Sequence, residues 1–220
     1  MIEAEPLVRW DWVVANLGQI GARTVDHILM TVIAVAGGFA ISLLLAILTV
    51  RWRRLYAPLL GATGVLYTIP SLALFALLIP VTGLSLLTAE IALVGYTLLI
   101  LLRNTVAGLD AVPGDVIEAA AGMGYGRWQR LVHIELPLAV PAMVAGLRIA
   151  TVSTIGLVAV SALIGQANLG SLIIRQGIRN AFPTAILVGA GVSVALAVAT
   201  DLGFLWLQRL LTPWARARKA

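Results

Sequence analysis

The chain holds few residues of the kinds that carry out chemistry, and their spacing excludes the commonest sites. It has no cysteine, so a disulfide framework and a thiolate metal site are both excluded. Its two histidines, His27 and His133, lie far apart, and neither stands in a metal-ligand pattern. Its one lysine, Lys219, does not follow a glycine-rich turn, as a phosphate-binding P-loop requires. The sequence therefore predicts a protein that is not an enzyme and that holds no metal or cofactor.

The most specific spacing lies in a polar segment from about 110 to 137. It reads Glu118-Ala119-Ala120, three residues, Gly124, nine residues, Ile134, one residue, and Leu136-Pro137. The alanines favour a helix with a low surface, and Glu118 lies near its start, where the helix dipole favours negative charge. Gly124 is expected to end that helix in a left-handed cap. A second short helix from about Arg127 to Ile134 would complete a small knob of two helices.

Composition places the rest of the chain in a lipid bilayer. Of the 220 residues, 60% are apolar and 11% are charged, and the mean hydropathy is +1.01. Soluble domains average about 45–50% apolar and about 25% charged residues. A helix needs about 20 apolar residues to cross the hydrocarbon core, which predicts an all-α, polytopic membrane protein with five spans. Their approximate bounds are Ile28–Val50, Ala57–Pro80, Leu86–Leu109, Leu138–Ile164 and Pro183–Leu207.

The distribution of cations predicts how the spans are oriented. Ten fall on one side: Arg51, Arg53, Arg54, Arg103, Arg127, Arg130, Arg209, Arg216, Arg218 and Lys219. Four fall on the other side: Arg9, Arg23, Arg175 and Arg179. Cytoplasmic loops carry the excess of Lys and Arg, so the 110–137 segment and the C-terminus are predicted inside and the N-terminus outside. The cations do not form one basic face, so the pI of about 10.4 does not indicate nucleic-acid binding.

Residues 7–27 mix tryptophan and aliphatic side chains with polar ones. That mixture predicts a helix lying along the outer membrane interface. The alternative is a frayed tail.

The polar segment resembles the EAA loop of ABC importer permeases, E-A-A-x3-G-x9-I-x-L-P, at every defined position. The resemblance implies one permease domain over 1–220, in the bacterial plasma membrane, with a cytoplasmic coupling helix that docks on a separate ATPase. The implied coupling residues are Glu118, Ala119, Ala120, Gly124, Ile134, Leu136 and Pro137. We expect two ATPase subunits per complex, a second permease (identical or paralogous), an extracytoplasmic substrate-binding protein and membrane lipid as partners.

Further stretches are similar to the permeases of osmoprotectant importers, which take up glycine betaine, choline, carnitine or proline. They are residues 67–74 (YTIPSLAL), 102–105 (LRNT), 135–139 (ELPLA) and 145–148 (AGLR). The resemblance covers roughly residues 25 to 210. It departs at residues 164–170, which read IGQANLG and are more polar than the glycine-rich turn usual in that family.

Three other interpretations stay open from sequence. A permease for another small polar solute would share the same loop. A secondary transporter, driven by an ion gradient, usually shows inverted repeats and intramembrane acids. No repeat is evident here, and Glu90 and Asp201 fall near predicted span ends. A structural or assembly subunit would not need the 110–137 segment.

Small polar residues in the predicted spans are candidates for a translocation path. They are Tyr67, Thr68, Pro70, Ser71, Asn104, Thr151, Ser153 and Thr154. The alternative is that the polar ones are ordinary interhelical hydrogen-bonding groups. Pro70 is expected to kink the second span, because proline removes a backbone hydrogen bond.

Two charges inside predicted spans suggest an ion pair. Arg148 lies eleven residues after Pro137, or roughly 16 Å along a helix, and Asp201 lies eight residues before Arg209, or roughly 12 Å. At these similar depths they are predicted to pair and pin the fourth span to the fifth. The alternative places Arg148 in a water-filled cavity and lets Asp201 reach the surface.

Overall fold

The computed structural model describes residues 6–212, and within that range the chain is helical with no strand. This confirms the all-α prediction. Ten α-helices occur there: α1 Trp10–Ala15, α2 Leu17–Arg51, α3 Tyr56–Thr68, α4 Ser71–Thr82, α5 Leu86–Asp110, α6 Gly114–Gly122, α7 Arg127–Arg130, α8 Leu136–Val160, α9 Leu169–Ser171 and α10 Pro183–Leu211. Shorter 3-10 or π turns lie at Arg53–Leu55, Leu131–Glu135, Ser161–Ile164 and Leu172–Ile178.

Four helical stretches of residues 6–212 are long and apolar enough to cross a membrane. They are α2, α5, the stretch Arg127–Ile164 that contains α8, and α10. Taken together as one broken span, α3 and α4 add a fifth. The third predicted span, Leu86–Leu109, matches α5 almost residue for residue, and the fifth extends to Leu211.

Pro70 divides the second predicted span into two helices, where the sequence predicted only a kink. Its backbone is extended, with φ −56° and ψ 135°, and it stands just before the first residue of α4. Leu74 N–H donates to the Pro70 carbonyl at 3.0 Å, so the new helix starts from the proline itself. Before the break, the Thr68 hydroxyl donates to the Val65 carbonyl at 2.7 Å. Proline removes one backbone donor and its ring crowds the preceding turn, which allows either a kink or a break; here the extended backbone of Pro70 makes the break.

The predicted interfacial helix over 7–27 is also divided. The short α1 forms a separate turn, and the Asn16 side chain donates to the Trp12 carbonyl at 2.8 Å where it ends. From Leu17 the chain instead enters α2, which runs without interruption for 35 residues. No proline lies between Leu17 and Arg51, so nothing breaks the backbone ladder at the predicted boundary near Ile28.

The residues pack as two compact units, described here one at a time. Among the described residues, the first comprises 6–35, Ile69–Val94 and Thr151–Ala199. Its apolar core contains Ile20, Leu169 and Leu172, with Trp12, Val13, Val188 and Val192 packed against them. This core joins the start of α2 to α1, α9 and α10.

The turn at 164–170, where the sequence departs from the osmoprotectant pattern, is ordered by its asparagine. The fully buried Asn168 side chain accepts from Gly170 N–H at 2.8 Å and donates to the Val158 carbonyl at 2.8 Å. Gly170 lies so close to α8 that a Cβ there would overlap the Ala159 carbonyl oxygen. The polar residue therefore supplies hydrogen bonds that a glycine-rich turn would lack.

Among the described residues, the second unit comprises Ala36–Thr68, Gly95–Ala150 and 200–212. Its core contains Ala46 of α2, the α5 residues Leu102, Val106 and Leu109, Leu131 and Ala139. Leu131 belongs to the polar segment that carries the EAA pattern. The core of this unit therefore holds that segment in place.

Candidate functional site

The first helix of the polar segment, α6, ends in a glycine cap. Gly124 has φ +85°, a conformation that glycine adopts at little steric cost. Its N–H donates to the Ala121 carbonyl at 3.0 Å, and Tyr125 N–H donates to the Ala120 carbonyl at 3.1 Å. These two bonds form a Schellman motif, which satisfies carbonyls that the helix end would otherwise leave unpaired. The chain can then reverse sharply at Gly124.

The second helix, α7, is tied to the core of its unit. At its start, Gly126 N–H donates to Gln129 Oε1 at 2.9 Å. At its end, Arg130 Nε donates to Glu135 Oε1 at 2.6 Å, and Glu135 is only 6% exposed. The π turn Leu131–Glu135 then leads into α8. Pro137 has no N–H for the carbonyl four residues earlier, and the altered hydrogen-bond pattern of the π turn lies directly before it.

The residues of the EAA pattern fall into two groups in the structure. Glu118, Ala119 and Gly124 are exposed, so a partner can contact them. Ala120 is fully buried, and Leu136 packs against the core of the second unit, while Ile134 and Pro137 are half-buried. One part of the pattern forms the surface of the knob, and the other fixes the knob to the membrane helices.

A shallow cavity of about 300 Å³ lies where the two helices of the knob meet. It is lined by Met123, Gly124, Tyr125, Gln129 and His133. Met123 is 70% exposed, and the rings of Tyr125 and His133 meet edge to face with centroids 6.4 Å apart. Sequence reasoning missed Met123 and Tyr125; the available signal was two large side chains flanking the capping glycine of a polar loop. A concave surface of this kind, with polar groups around an exposed methionine, suits a protein partner.

Arg148 and Asp201 contact each other directly in the second unit. Arg148 donates from Nε to Oδ1 and from Nη2 to Oδ2 of Asp201, both at 2.9 Å. Their side chains are 27% and 35% exposed. The contact joins α8 to α10.

The path candidates are divided between the two units. Tyr67, Thr68 and Asn104 belong to the second unit, and Pro70, Ser71, Thr151, Ser153 and Thr154 belong to the first. Asn104 Nδ2 donates to the Ile100 carbonyl at 2.8 Å within its own helix, and Thr151 and Thr154 are buried. Tyr67 is 40% exposed and meets Tyr96 edge to face at 5.9 Å. Tyr67 is the one aromatic side chain among the candidates, and part of its ring is exposed.

Comparison with known proteins decides the family. Residues 22–217 match the family described as "Binding-protein-dependent transport system inner membrane component". The chain belongs to this family. It is 38% identical to "Osmoprotectant import permease protein OsmW" of Salmonella typhimurium, over 90% of this chain and 94% of that protein. It is 37% identical to "Glycine betaine/carnitine/choline transport system permease protein OpuCD" of Bacillus subtilis, over 90% and 86% of the two chains.

Solved structures of ABC transporter chains share the fold of this chain. An inward-facing MetNI methionine ABC transporter chain matches with a TM-score of 0.80 at 22% identity, covering 89% of this chain and 97% of that one. An amino acid ABC transporter chain matches with a TM-score of 0.76 at 17% identity, covering 92% and 98%. At these identities the likeness concerns the fold.

Family membership confirms the resemblance seen in the EAA pattern. The chain is a multi-pass permease subunit of the inner membrane. Its relatives are transport permease proteins, so ATP hydrolysis belongs to separate ATPase subunits. An ATPase and a substrate-binding protein are the partners that membership in this family implies.

Proposed function

We propose that this permease forms the membrane path of an ATP-driven importer for osmoprotectants such as glycine betaine, choline, carnitine or proline. One observation carries the proposal: relatives named for osmoprotectants or for glycine betaine, carnitine and choline are 31–38% identical over about 90% of this chain. The similarity thus extends over the membrane helices as well as the EAA loop.

The knob formed by α6 and α7 is the coupling site for the ATPase. Exposed Glu118, Ala119 and Gly124, together with the cavity beside Met123, form its contact surface. Leu131 and the Arg130–Glu135 ion pair connect that surface to the membrane helices of the same unit. Closure of the ATPase subunits would therefore move the ends of α5 and α8 through a stiff connection.

The coupling knob and the C-terminus lie in the cytoplasm, and the N-terminus lies outside. The ten-to-four distribution of cations supports this orientation. Three of the ten cations, Arg216, Arg218 and Lys219, lie outside the described residues.

The complete importer contains two permeases, identical or paralogous, two ATPase subunits and one external binding protein. A pair of permeases around a two-fold or pseudo-two-fold axis would enclose the path between them.

One buried acid in a membrane span is the reason to test ATP dependence directly. Glu90 is an acidic residue of the α5 span, and it is only 8% exposed. Intramembrane acids often couple transport to an ion gradient.

Uptake measurements separate these functions. Cells without their own osmoprotectant uptake would carry the complete importer and receive labelled glycine betaine, choline, carnitine and proline. We expect uptake of at least one, retained when a protonophore collapses the ion gradient while ATP is maintained. Loss of uptake under that condition would contradict ATP-driven transport, and uptake of none of the four would contradict the substrate class.

A further inference from the structure

The largest of the described cavities lies beside the coupling knob, within the second unit. Its volume is about 900 Å³, within the range of about 300–1,000 Å³ typical of small-molecule sites. The C-terminal end of α2 forms one wall, with Leu44, Leu45, Ile47, Leu48 and Val50. The opposite wall comes from α7 and the π turn that follows it. We call this cavity the α2–α7 groove.

The polar end of the α2–α7 groove is positively charged. Three arginines line it, Arg51, Arg127 and Arg130, against one acid, Glu135, which leaves a net charge of +2. The Glu135 carboxylate already forms an ion pair with Arg130, with Nε and Oε1 2.6 Å apart. Arg51 and Arg127 are exposed, and neither pairs with a carboxylate among residues 6–212. Two guanidinium groups are therefore available to an anion.

The rim and wall of the groove are strongly apolar. Trp52 and Trp128 also line it, and they are 54% and 65% exposed. Tryptophan is enriched where a protein surface meets the headgroup level of a bilayer. Leu44 is 68% exposed at the other end of the wall. A water-soluble anion would leave this aliphatic surface uncovered, whereas an acyl chain would cover it.

We infer that the α2–α7 groove binds an anionic phospholipid. Arg51 and Arg127 hold the phosphate, since guanidinium groups donate paired hydrogen bonds to phosphate oxygens. An acyl chain lies along the α2 wall between the two tryptophans. The inference rests on the proposed orientation, which places the groove at the cytoplasmic leaflet, where anionic lipids give a negative surface potential. Because α7 belongs to the coupling knob, the bound lipid braces that knob.

Binding is tested on the purified full-length permease in neutral detergent micelles. The midpoint of thermal unfolding is measured with added phosphatidylglycerol, with phosphatidylcholine of the same acyl chains, and with water-soluble glycerol phosphate. We expect phosphatidylglycerol to raise the midpoint well above the value with phosphatidylcholine, and glycerol phosphate to leave it unchanged. Equal shifts with the two lipids, or the full shift with glycerol phosphate, would overturn the inference.

A matched pair of variants locates the effect. Arg51→Gln/Arg127→Gln removes two charges from the groove, and Arg54→Gln/Arg103→Gln removes two from exposed positions that do not line it. The first variant should lose most of the phosphatidylglycerol shift while keeping the wild-type midpoint in phosphatidylcholine, and the second should keep the shift. If both variants lost the phosphatidylglycerol shift equally, the shift would come from overall charge and not from the groove, which would overturn the inference.

Photocrosslinking identifies the occupant in native membranes. A benzophenone amino acid at Leu44 should yield an adduct with the mass of an anionic phospholipid, and adducts with zwitterionic phospholipids alone would overturn the inference. An adduct with an ATPase subunit or a second permease would instead make the groove a protein interface and overturn the inference. None of these experiments requires ATP or an osmoprotectant. A negative result on lipid binding is therefore distinguishable from failure of the transport proposal.

Discussion

Arg148 and Asp201 join α8 to α10 through two parallel hydrogen bonds, both 2.9 Å long. Such a two-point contact restricts rotation of the helices as well as their separation. Removing one partner leaves the other charge in a partly buried, low-dielectric position. Each side chain therefore needs the other to compensate its charge.

We expect Arg148→Ala or Asp201→Ala to destabilise the permease by on the order of 1–3 kcal/mol, less than a fully buried pair because both groups keep some solvent contact. The double variant should cost less than the sum, since neither charge is then left alone. Chemical denaturation of the four proteins in detergent measures the cycle. Additive effects would contradict the pairing role, and Arg148→Lys tests whether the two-point geometry matters beyond charge.

Gly124→Ala should weaken the coupling knob without blocking insertion. No atom lies within 4 Å of the added Cβ, so the cost is backbone strain at φ +85°, roughly 1 kcal/mol. Faster amide hydrogen exchange at residues 118–126 and slower transport are expected. Gly122→Ala is the matched control. A Cβ at Gly122 also meets no atom within 4 Å, but Gly122 lies in α6 and has a helical backbone. Equal exchange rates in the two variants would contradict the strain argument.

Glu118→Lys should stop transport while leaving the thermal midpoint unchanged. Glu118 is exposed on α6 and no described residue forms an ion pair with it, so reversal alters the docking surface rather than the fold. Glu118→Gln removes the charge without reversing it and should be intermediate. Co-purification with the ATPase and uptake by cells are the two measurements. Wild-type uptake by the lysine variant would remove Glu118 from the docking surface.

Gly170→Ala should destabilise the first unit by about 1–3 kcal/mol, the usual cost of overpacking. A Cβ there overlaps the backbone of Ala159, which cannot move away as a side chain would. Gly191→Ala is the control, since nothing lies within 4 Å of its Cβ and it lies inside α10. Thermal unfolding should show a lower midpoint for the first variant and an equal or slightly higher midpoint for the second. Equal midpoints would refute the close approach.

Reporter fusions test the proposed orientation. Fusions that end after Arg54 and after Gly124 should report the cytoplasm, and one that ends after Asn180 should report the outside. Arg179 is one of only four cations counted on that side. A cytoplasmic signal after Asn180, or an outside signal after either of the other two, would overturn the orientation.

The sequence predicted the elements whose signals are local. The bounds of α5 follow from an apolar run between Leu86 and Asp110, and the Gly124 cap follows from alanines followed by glycine. It did not predict where α2 begins, because residues 17–27 are polar enough for an interface yet contain no proline to end a helix. Nor did it decide between a kink and a break at Pro70, since both follow from the same missing N–H.

The candidate site likewise has features that the sequence predicts and features that depend on tertiary packing. The EAA pattern is visible in sequence, and its role in coupling remains a prediction. The division between exposed Glu118 and buried Ala120 depends on which face of α6 the core of the second unit covers. Arg51 and Arg127 line the same α2–α7 groove although they are 76 residues apart in the sequence (127 minus 51). No local sequence pattern predicts that they lie close together.

The lengths of α2 and α4 have a consequence for the bilayer itself. At 1.5 Å per residue, the 35 residues of α2 extend about 52 Å, and the 12 residues of α4 extend about 18 Å. The hydrocarbon core is about 30 Å thick, so α2 would still span a thicker membrane, whereas α4 alone falls short in any ordinary one. In a thinner membrane α2 can accommodate its excess length by tilting, whereas α4 has no excess length to adjust. The acyl-chain length of the host membrane should matter to this permease through its shortest membrane helix.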